Sequence, residues 1–580
     1  MNAPTWNLDS LFTGGIEGEA FVASMNEVEA EARSMVDRAD ALPAPPSTEW
    51  VELLLDLESL ATRAHQLSTF AHCCTCADAR DKAAAFATGR VEALFGRLSR
   101  AWVPIEALLT GCDEAAFEAL VAQPELGELE ERLRRMRLKA PLLLPRAQQA
   151  LATELAQDGI HAWGRFYDHL NGSLQVTLPD GRKIGSAQAQ NMLGSADRPE
   201  RTAGLDALDD AWKDVDADCA RALSHIVGTR QTLNDLRGVD ELADTCFRQR
   251  LSRETLMALI EASRRAQPLL LRYLKARARA LHIPQCGWQD LGASLGGSGQ
   301  WDWASSEAFI VEHFGSWSDE LADFAREAFD GRWIEAEDRN HKRPGGWCAR
   351  VPMGGESRIF MTHGGTFRST VTLAHELGHA YHNHVTRDLN PSRRNIPSTL
   401  AETASVFAES IVRDAALEAA VGDEKLGMLD ARLSAGASFL MNLPARFDFE
   451  RELYVLRRKG DLDADQLSEA MVRIQKDWYG DALESWYPRF WASKLHFYIS
   501  HFAFYNYPYT FGYLFAQLVY TRLKATGDTA AYVDILRRTG WQSAEDLAME
   551  TLGLDLTKPE TWWEAIAPLQ QDLEAFEARL

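Results

Sequence analysis

The stretch TLAHELGHAYHNHV, residues 372–385, constrains the fold more than any other part of the chain. On an α-helix His375 and His379 stand one turn apart on the same face, so both imidazoles can reach one ion while Glu376 projects beside them. Zinc held there lowers the pKa of a water molecule toward neutrality, and a carboxylate within hydrogen-bonding distance can take its proton as it attacks a carbonyl. The flanking residues suit a buried helix: Val371 and Leu373 are apolar, and the small Gly378 and Ala380 let a neighbour approach closely. The plain alternative is an ordinary helix with satisfied core histidines.

A catalytic zinc has three protein ligands and one open position. The metzincin pattern would need Gly and then His at positions that hold His382 and Val385 here, so that class is excluded. The following segment PSTLAETASVFAESIV offers Glu402 and, two turns on, Glu409, both on one helical face. Glu402, nearer the helix start, is read as the third ligand and Glu409 as the group that orients a ligating imidazole through its free N–H. The alternative exchanges those two roles. His382, one turn beyond His379, is a candidate for the same orienting role, His384 is read as a surface residue, and His363 is a candidate substrate contact. One set of three ligands implies one Zn2+ per chain.

The rest of the chain reads as mainly α. Hydrophobic residues make up 46% and charged residues 25% of 580, the balance of a soluble globular protein with a substantial core. Up to about residue 160, Leu, Ala, Glu and Arg recur at three- and four-residue intervals. GSLQVTLPDGRKIG, residues 172–185, alternates around PDG and predicts a β-hairpin; two further short strands are expected near 347–352 and 357–362, just before the histidines. A strand beside a catalytic helix can offer an edge on which an extended peptide pairs. The expected division is an N-terminal helical region with a hairpin, 1–190, and a catalytic region, 191–580.

A formal charge of −23 disfavours a broad electrostatic grip on nucleic acid or anionic lipid. The apolar run LHFYISHFAFYNYPYTFGYLFAQLVY, residues 495–520, is interrupted by His496, His501, Asn506 and Pro508, so a buried functional helix pair is expected there rather than a membrane span. Eight cysteines are too few for a disulfide framework, which predicts reduced thiols; in AHCCTCA the cluster His72, Cys73, Cys74 and Cys76 is either a second metal site or ordinary buried thiols. The opening MNAPTWNLDSLFTGG lacks a basic start and an apolar core, and a cytoplasmic protein is expected.

With TLAHELGHAYH and LAETASVFAE, the chain resembles the thimet oligopeptidase and oligoendopeptidase F family of zinc metallopeptidases, nearest the oligoendopeptidase F branch. The opening TWNLDSLF, the segment SADRPERTAG and the tyrosine-rich run are similar to that branch at corresponding places. The resemblance implies a mostly helical protein whose two halves enclose a deep channel with zinc on its floor, admitting only short peptides. It implies His375, His379 and Glu402 as ligands and Glu376 as general base. It further implies that a histidine and tyrosines stabilise the tetrahedral intermediate: His501 and Tyr513 match the pattern, and one of Tyr505, Tyr507 and Tyr509 joins them, with Tyr507 taken first. The opposing reading makes these aromatics core. Expected partners are short oligopeptides, with no nucleic acid or membrane, and the chain is a monomer or small homo-oligomer. A zinc carboxypeptidase, or a helical peptide-binding protein with a non-catalytic metal site, is the alternative; the intact Glu376 argues against the latter.

Overall fold

Apolar residues spaced at three and four build helices along almost the whole chain, and the computed structural model describes residues 3–45, 47–295 and 300–580. The first two residues of the opening segment lie outside the described residues. The described residues form a large helical fold with five short strands. They divide into two compact units, each assembled from three stretches: 1–140, 298–418 and 519–552 in the first, and 141–297, 419–518 and 553–580 in the second. A boundary at 190 is therefore not where the chain divides, because each unit closes its core with segments hundreds of residues apart in sequence.

In the first unit, the helices Glu19–Asp40, Thr48–Ala77 and Lys82–Gly111 pack on one another. Met25, Val28, Ala32 and Met35 from the first meet Leu53, Leu57 and Phe70 from the second and Val91, Leu94 and Leu98 from the third in one core. The third helix starts where Asp81 accepts from the Ala84 N–H, a side-chain cap that satisfies an orphan donor. The same unit holds a three-stranded sheet of β3 (Ile334–Glu335), β4 (Trp347–Val351) and β5 (Glu356–Phe360), ordered β3-β5-β4. β4 pairs antiparallel with β5, as expected from the sequence; the two-residue β3, parallel to β5, is too short to leave an alternating pattern. Trp6 from the opening segment covers the sheet, its ring 5.8 Å from both Trp347 and Phe360.

In the second unit, the hairpin forms as β1 (Gln175–Thr177) paired antiparallel with β2 (Lys183–Gly185), with Gly181 at φ +83 in its turn, a left-handed value that glycine adopts without strain. Long helices follow, among them Arg253–Ala280, Leu443–Arg457 and Ala464–Tyr479. The run at 495–520 is not a helix pair: after a single 3-10 turn, Leu495–Phe497, the chain is irregular until the tyrosine helix, Tyr507–Thr526. Its irregular backbone is held by side chains. Glu450 accepts from the Phe504 N–H at 2.7 Å, the Arg230 guanidinium donates to the carbonyls of Ile499 and Phe502, and Phe504 itself sits at φ +57. Among the described residues no helix is long and apolar enough to cross a membrane.

Candidate metal centre

The residues 372–385 fall within one helix, Phe367–Val385, opened by Thr366, whose hydroxyl accepts from the Ser369 N–H. Three neighbours in the first unit fix this histidine helix. Asn383 Nδ2 donates to the Ser357 hydroxyl of β5 at 3.1 Å, and Arg350 of β4 donates to the Thr386 hydroxyl at 3.0 Å. His382 Nε2 donates to the Leu536 carbonyl at 3.0 Å and lies 2.9 Å from the Thr539 hydroxyl, at the end of helix Thr529–Arg538. The third neighbour is the glutamate helix, Thr403–Ala419, immediately preceded by Glu402. A Cβ on Gly378 would stand 2.5 Å from the Ala404 carbonyl oxygen and 2.7 Å from Ser405 Cα, so these two backbones meet only because residue 378 has no side chain.

That close approach brings His375, His379 and Glu402 together, their ligand atoms all within 4.8 Å of one another. The Nε2 of each histidine is 3.4 Å from Glu402 Oε2. Two ligand atoms each about 2.05 Å from a tetrahedral ion stand about 3.3 Å apart, whereas a direct N–H···O bond prefers about 2.9 Å. The spacing thus fits a shared ion better than a direct hydrogen bond. Glu402 is steadied by Ser405, whose hydroxyl donates to Oε2 at 2.6 Å. On the opposite side of the His375 ring, Nδ1 donates to Glu409 Oε1 at 2.7 Å, which fixes the ring with Nε2 facing Glu402. Arg413 in turn donates to Glu409 Oε2 through Nη2 at 2.9 Å and Nε at 3.0 Å.

The electrostatics point the same way. Three carboxylates, Glu376, Glu402 and Glu409, surround two imidazoles, and Arg413 is bonded to Glu409. Burial opposes the charge on His375, but the hydrogen bond and charge of Glu409, with Glu402 and Glu376, outweigh it and lift the imidazole to about 9. Burial likewise resists ionisation of Glu402, yet His379 and His375 overcome it and hold the carboxyl down at about 2. The pocket is built to attract a cation, and two imidazole nitrogens with one carboxylate are a zinc donor set. Glu376 is 5% exposed, and its Oε2 has no hydrogen-bond partner. Burial raises its pKa, which makes it a better base. Space beside it is kept by Gly346, whose Cβ would stand 3.1 Å from Glu376 Oε1.

Other side chains singled out in the sequence are placed differently. His382 does not touch the ligands; burial pushes its imidazole down to about 3, and as a neutral donor it anchors the histidine helix. His384 is half-buried against Phe324, 4.9 Å between ring centroids, rather than on the surface. His363 is buried, with Nε2 3.0 Å from the Ser306 hydroxyl and Trp303 edge-on at 5.5 Å. His72 Nε2 and Cys76 Sγ are 3.6 Å apart, but Cys73 and Cys76 pack with Trp6 and Phe360, and among the described residues the only metal-capable group of three is His375, His379 and Glu402. All eight cysteines are free.

The tyrosine run separates by exposure within the second unit. Tyr507 is fully buried, its hydroxyl 3.1 Å from that of Thr245, so it is a packing residue. Tyr505, Tyr509 and Tyr513 are partly exposed, and the Tyr513 ring stacks on Phe439 at 4.6 Å. His501 is exposed and stacks on His161 at 4.4 Å. Sequence reasoning passed over His496, whose ring lies 5.0 Å from Tyr505 and 6.0 Å from Tyr509. It also passed over Ser405 and Arg413, although their spacing, three after Glu402 and four after Glu409, was a readable signal.

A helix-borne His-Glu-x-x-His pair facing a glutamate on the next helix is the donor set of a zinc-type metallopeptidase centre. The model of Peptidase family M3 matches residues 311–568 and that of Oligopeptidase F matches residues 109–175, together more than half of the chain. The chain belongs to peptidase family M3, in its oligoendopeptidase F branch. It is 23% identical over 458 residues to Oligopeptidase PepF of Bacillus subtilis, covering 76% of this chain and 66% of that relative, so it spans just under two thirds of the relative's length. The crystal structure of a Chlamydophila abortus protein superposes with a TM-score of 0.84 at 17% identity, covering 99% of this chain and 98% of the other. That of oligoendopeptidase-F from Enterococcus faecium gives 0.71 at 17% identity over 96% and 99%. At such identities these structures establish the fold alone.

Proposed function

We propose that this chain is a zinc-dependent endopeptidase that hydrolyses peptide bonds within short peptides, with His375, His379 and Glu402 as the metal ligands and Glu376 as the general base. The observation that carries the reading is the buried, unpartnered Glu376 carboxylate beside three converging ligand side chains. Membership of a peptidase family and the oligopeptidase name of the Bacillus subtilis relative support peptides as the substrate class.

Zinc in this donor set supplies a Lewis acid that acidifies water and polarises a carbonyl. Glu376 takes the proton from the attacking water and passes it to the leaving amine nitrogen; its raised pKa suits both transfers. Glu409, itself held by Arg413, keeps His375 in the tautomer whose Nε2 can ligate. β4, which pairs with β5 on one side only, is the proposed edge for an extended peptide, although Thr69 already occupies the Arg350 carbonyl at 2.7 Å. Hydrogen-bond donors for the developing oxyanion are assigned on the resemblance to Tyr513 and His501, with Tyr505 or Tyr509 in place of the buried Tyr507. Eight free thiols suit a reducing compartment, the cytoplasm.

The test is incubation of the protein with a mixed peptide library, with products read by mass spectrometry, with and without chelator. Internal cleavages that vanish on chelation, and a Glu376→Gln protein that keeps zinc while losing several orders of magnitude in turnover, are the expected results. No cleavage by the zinc-loaded wild type would sink the reading.

A further inference from the structure

The segment leading into the tyrosine helix carries basic side chains that have no acidic partner. Arg446, on helix Leu443–Arg457, donates from Nε to Asn442 Oδ1 at 2.8 Å and from Nη1 to Asn506 Oδ1 at 3.4 Å. Its guanidinium carbon is 5.0 Å from the centroid of the Phe490 ring, and Lys494 Nζ is 4.7 Å from the same centroid. The two positive charges therefore repel each other within about a Debye length, ~10 Å. His496 donates from Nδ1 to Asn506 Oδ1 at 3.0 Å. Asn506 is completely buried; its oxygen is shared between Arg446 and His496, and its amide Nδ2 has no hydrogen-bond partner.

Elsewhere in the same unit basic groups are neutralised, as Arg264 is by Asp448 at 2.8 Å and Arg489 by Asp209 at 2.8 Å. Among the described residues no carboxylate pairs with Arg446 or Lys494. The acidic groups acting on Arg446 are the phenols of Tyr479 and Tyr509 rather than carboxylates, and the charge acting on Lys494 is that of Arg446. Burial without a counter-ion pushes the Lys494 ammonium down to about 7 and the Arg446 guanidinium down to about 10. In a chain with 84 acidic and 61 basic residues, a cluster of donors that has collected no acid is a place where an anion is missing. Arg446, Lys494 and His496 are all partly exposed, so an anion from solution can reach them.

We propose that Arg446, Lys494, His496 and the Asn506 amide form a carboxylate-binding site that takes the free carboxylate of a peptide. The inference rests on the peptidase reading for its choice of anion, since a carboxylate is the anion that every linear peptide carries. A guanidinium fork and an ammonium match it by charge-assisted hydrogen bonds. The partly exposed rings of Tyr505 and Tyr509, beside His496, supply an apolar wall for the adjoining side chain. The carboxylate comes either from the peptide's C-terminus or from an Asp or Glu side chain.

The test is calorimetric binding to the full-length, zinc-loaded Glu376→Gln protein. One pair of peptides carries no acidic side chain and differs only in a free or amidated C-terminus; a second, amidated pair differs only in Glu or Gln. A preference of about ten- to a hundredfold for the free acid assigns the α-carboxylate, and the same preference for Glu over Gln assigns a side chain. In either case Lys494→Met and Arg446→Met reduce the ratio toward one. Lys494→Met retains an alkyl contact with Phe490 and carries the test if Arg446→Met does not fold. Equal binding within both pairs, or a preference that survives Lys494→Met, overturns the carboxylate site. If the wild type cleaves peptides yet binding shows no such preference, the site alone fails. If preference is seen without cleavage, the peptidase reading fails instead, and binding of no peptide at all overturns both.

Discussion

Replacing Gly378 by Ala adds one methyl group where the histidine and glutamate helices touch. The new Cβ would stand 2.5 Å from the Ala404 carbonyl oxygen, 2.7 Å from Ser405 Cα and 3.0 Å from the Ala404 carbonyl carbon. All three are backbone atoms, which cannot rotate aside. Ordinary contact begins near 3.4 Å, so relief requires the helices to part by roughly 1 Å, at an overpacking cost of about 1–3 kcal/mol. His375 and His379 ride on one helix and Glu402 on the approach to the other, and zinc–ligand distances tolerate only about 0.2 Å. A separation of that size takes Glu402 out of coordinating range. We expect zinc affinity, measured by competition with a chromophoric chelator, to fall by at least ten- to a hundredfold, together with a melting point lower by a few degrees. Gly89→Ala, on the exposed face of helix Lys82–Gly111 with nothing within 4 Å of the added Cβ, is the control and should leave both measurements near those of the parent. A Gly378→Ala protein that binds zinc within twofold of the parent and melts at the same temperature would show that this contact does not set the ligand spacing.

Glu402→Ala should lose bound zinc outright, whereas Glu409→Ala should keep a weaker site, about ten- to a hundredfold down, because it removes only the bond to His375 Nδ1; metal content after dialysis distinguishes them, and the reverse order would exchange their roles. Tyr513→Phe should lower kcat about ten- to a thousandfold with little change in KM or zinc, while Tyr507→Phe should instead cost about 1 kcal/mol of stability by breaking its contact with Thr245, which kinetics and melting curves on the same proteins will separate. Glu450 yields a pH prediction: it is completely enclosed, burial pushes its carboxyl up to about 7, and the folded state therefore prefers it protonated. Stability should be greatest below the unfolded-state pKa, about 4.3, and fall as pH rises to about 7, by at most about 4 kcal/mol. Glu450→Gln, which keeps a carbonyl for the Phe504 N–H, should remove that fall and melt higher than the parent at pH 8 but not at pH 4.

What could be read from the chain alone was whatever the backbone repeats locally. A helix places residues four apart on one face whatever surrounds it, so the pairing of His375 with His379 followed from spacing, whereas Glu402, expected on one helical face with Glu409, stands just before the glutamate helix. Alternation located β1 and β2 for the same reason, and β-prone residues on either side of a glycine turn located β4 and β5. The glycine at 378 announced a close approach without naming the partner. The expected helix pair over 495–520 failed because side chains remote in sequence, Glu450 and Arg230, satisfy the backbone of residues 499–504 and make an irregular segment affordable.

Tertiary structure alone decided which of several equivalent side chains face inward and which charges are paired. His382 looked like a companion of the ligands, but its partner Leu536 lies 154 residues away on another helix. Tyr507 and Tyr509 are chemically identical and two residues apart, yet one is sealed against Thr245 and the other reaches His496. Arg446 and Lys494 are ordinary basic residues in the sequence; that neither has a carboxylate becomes visible only once every neighbour is in place. Spacing along a helix is set by hydrogen bonds between residues four apart, and so is written in the sequence. Burial and pairing are set by whichever segment packs opposite, and that is known only when the chain has folded.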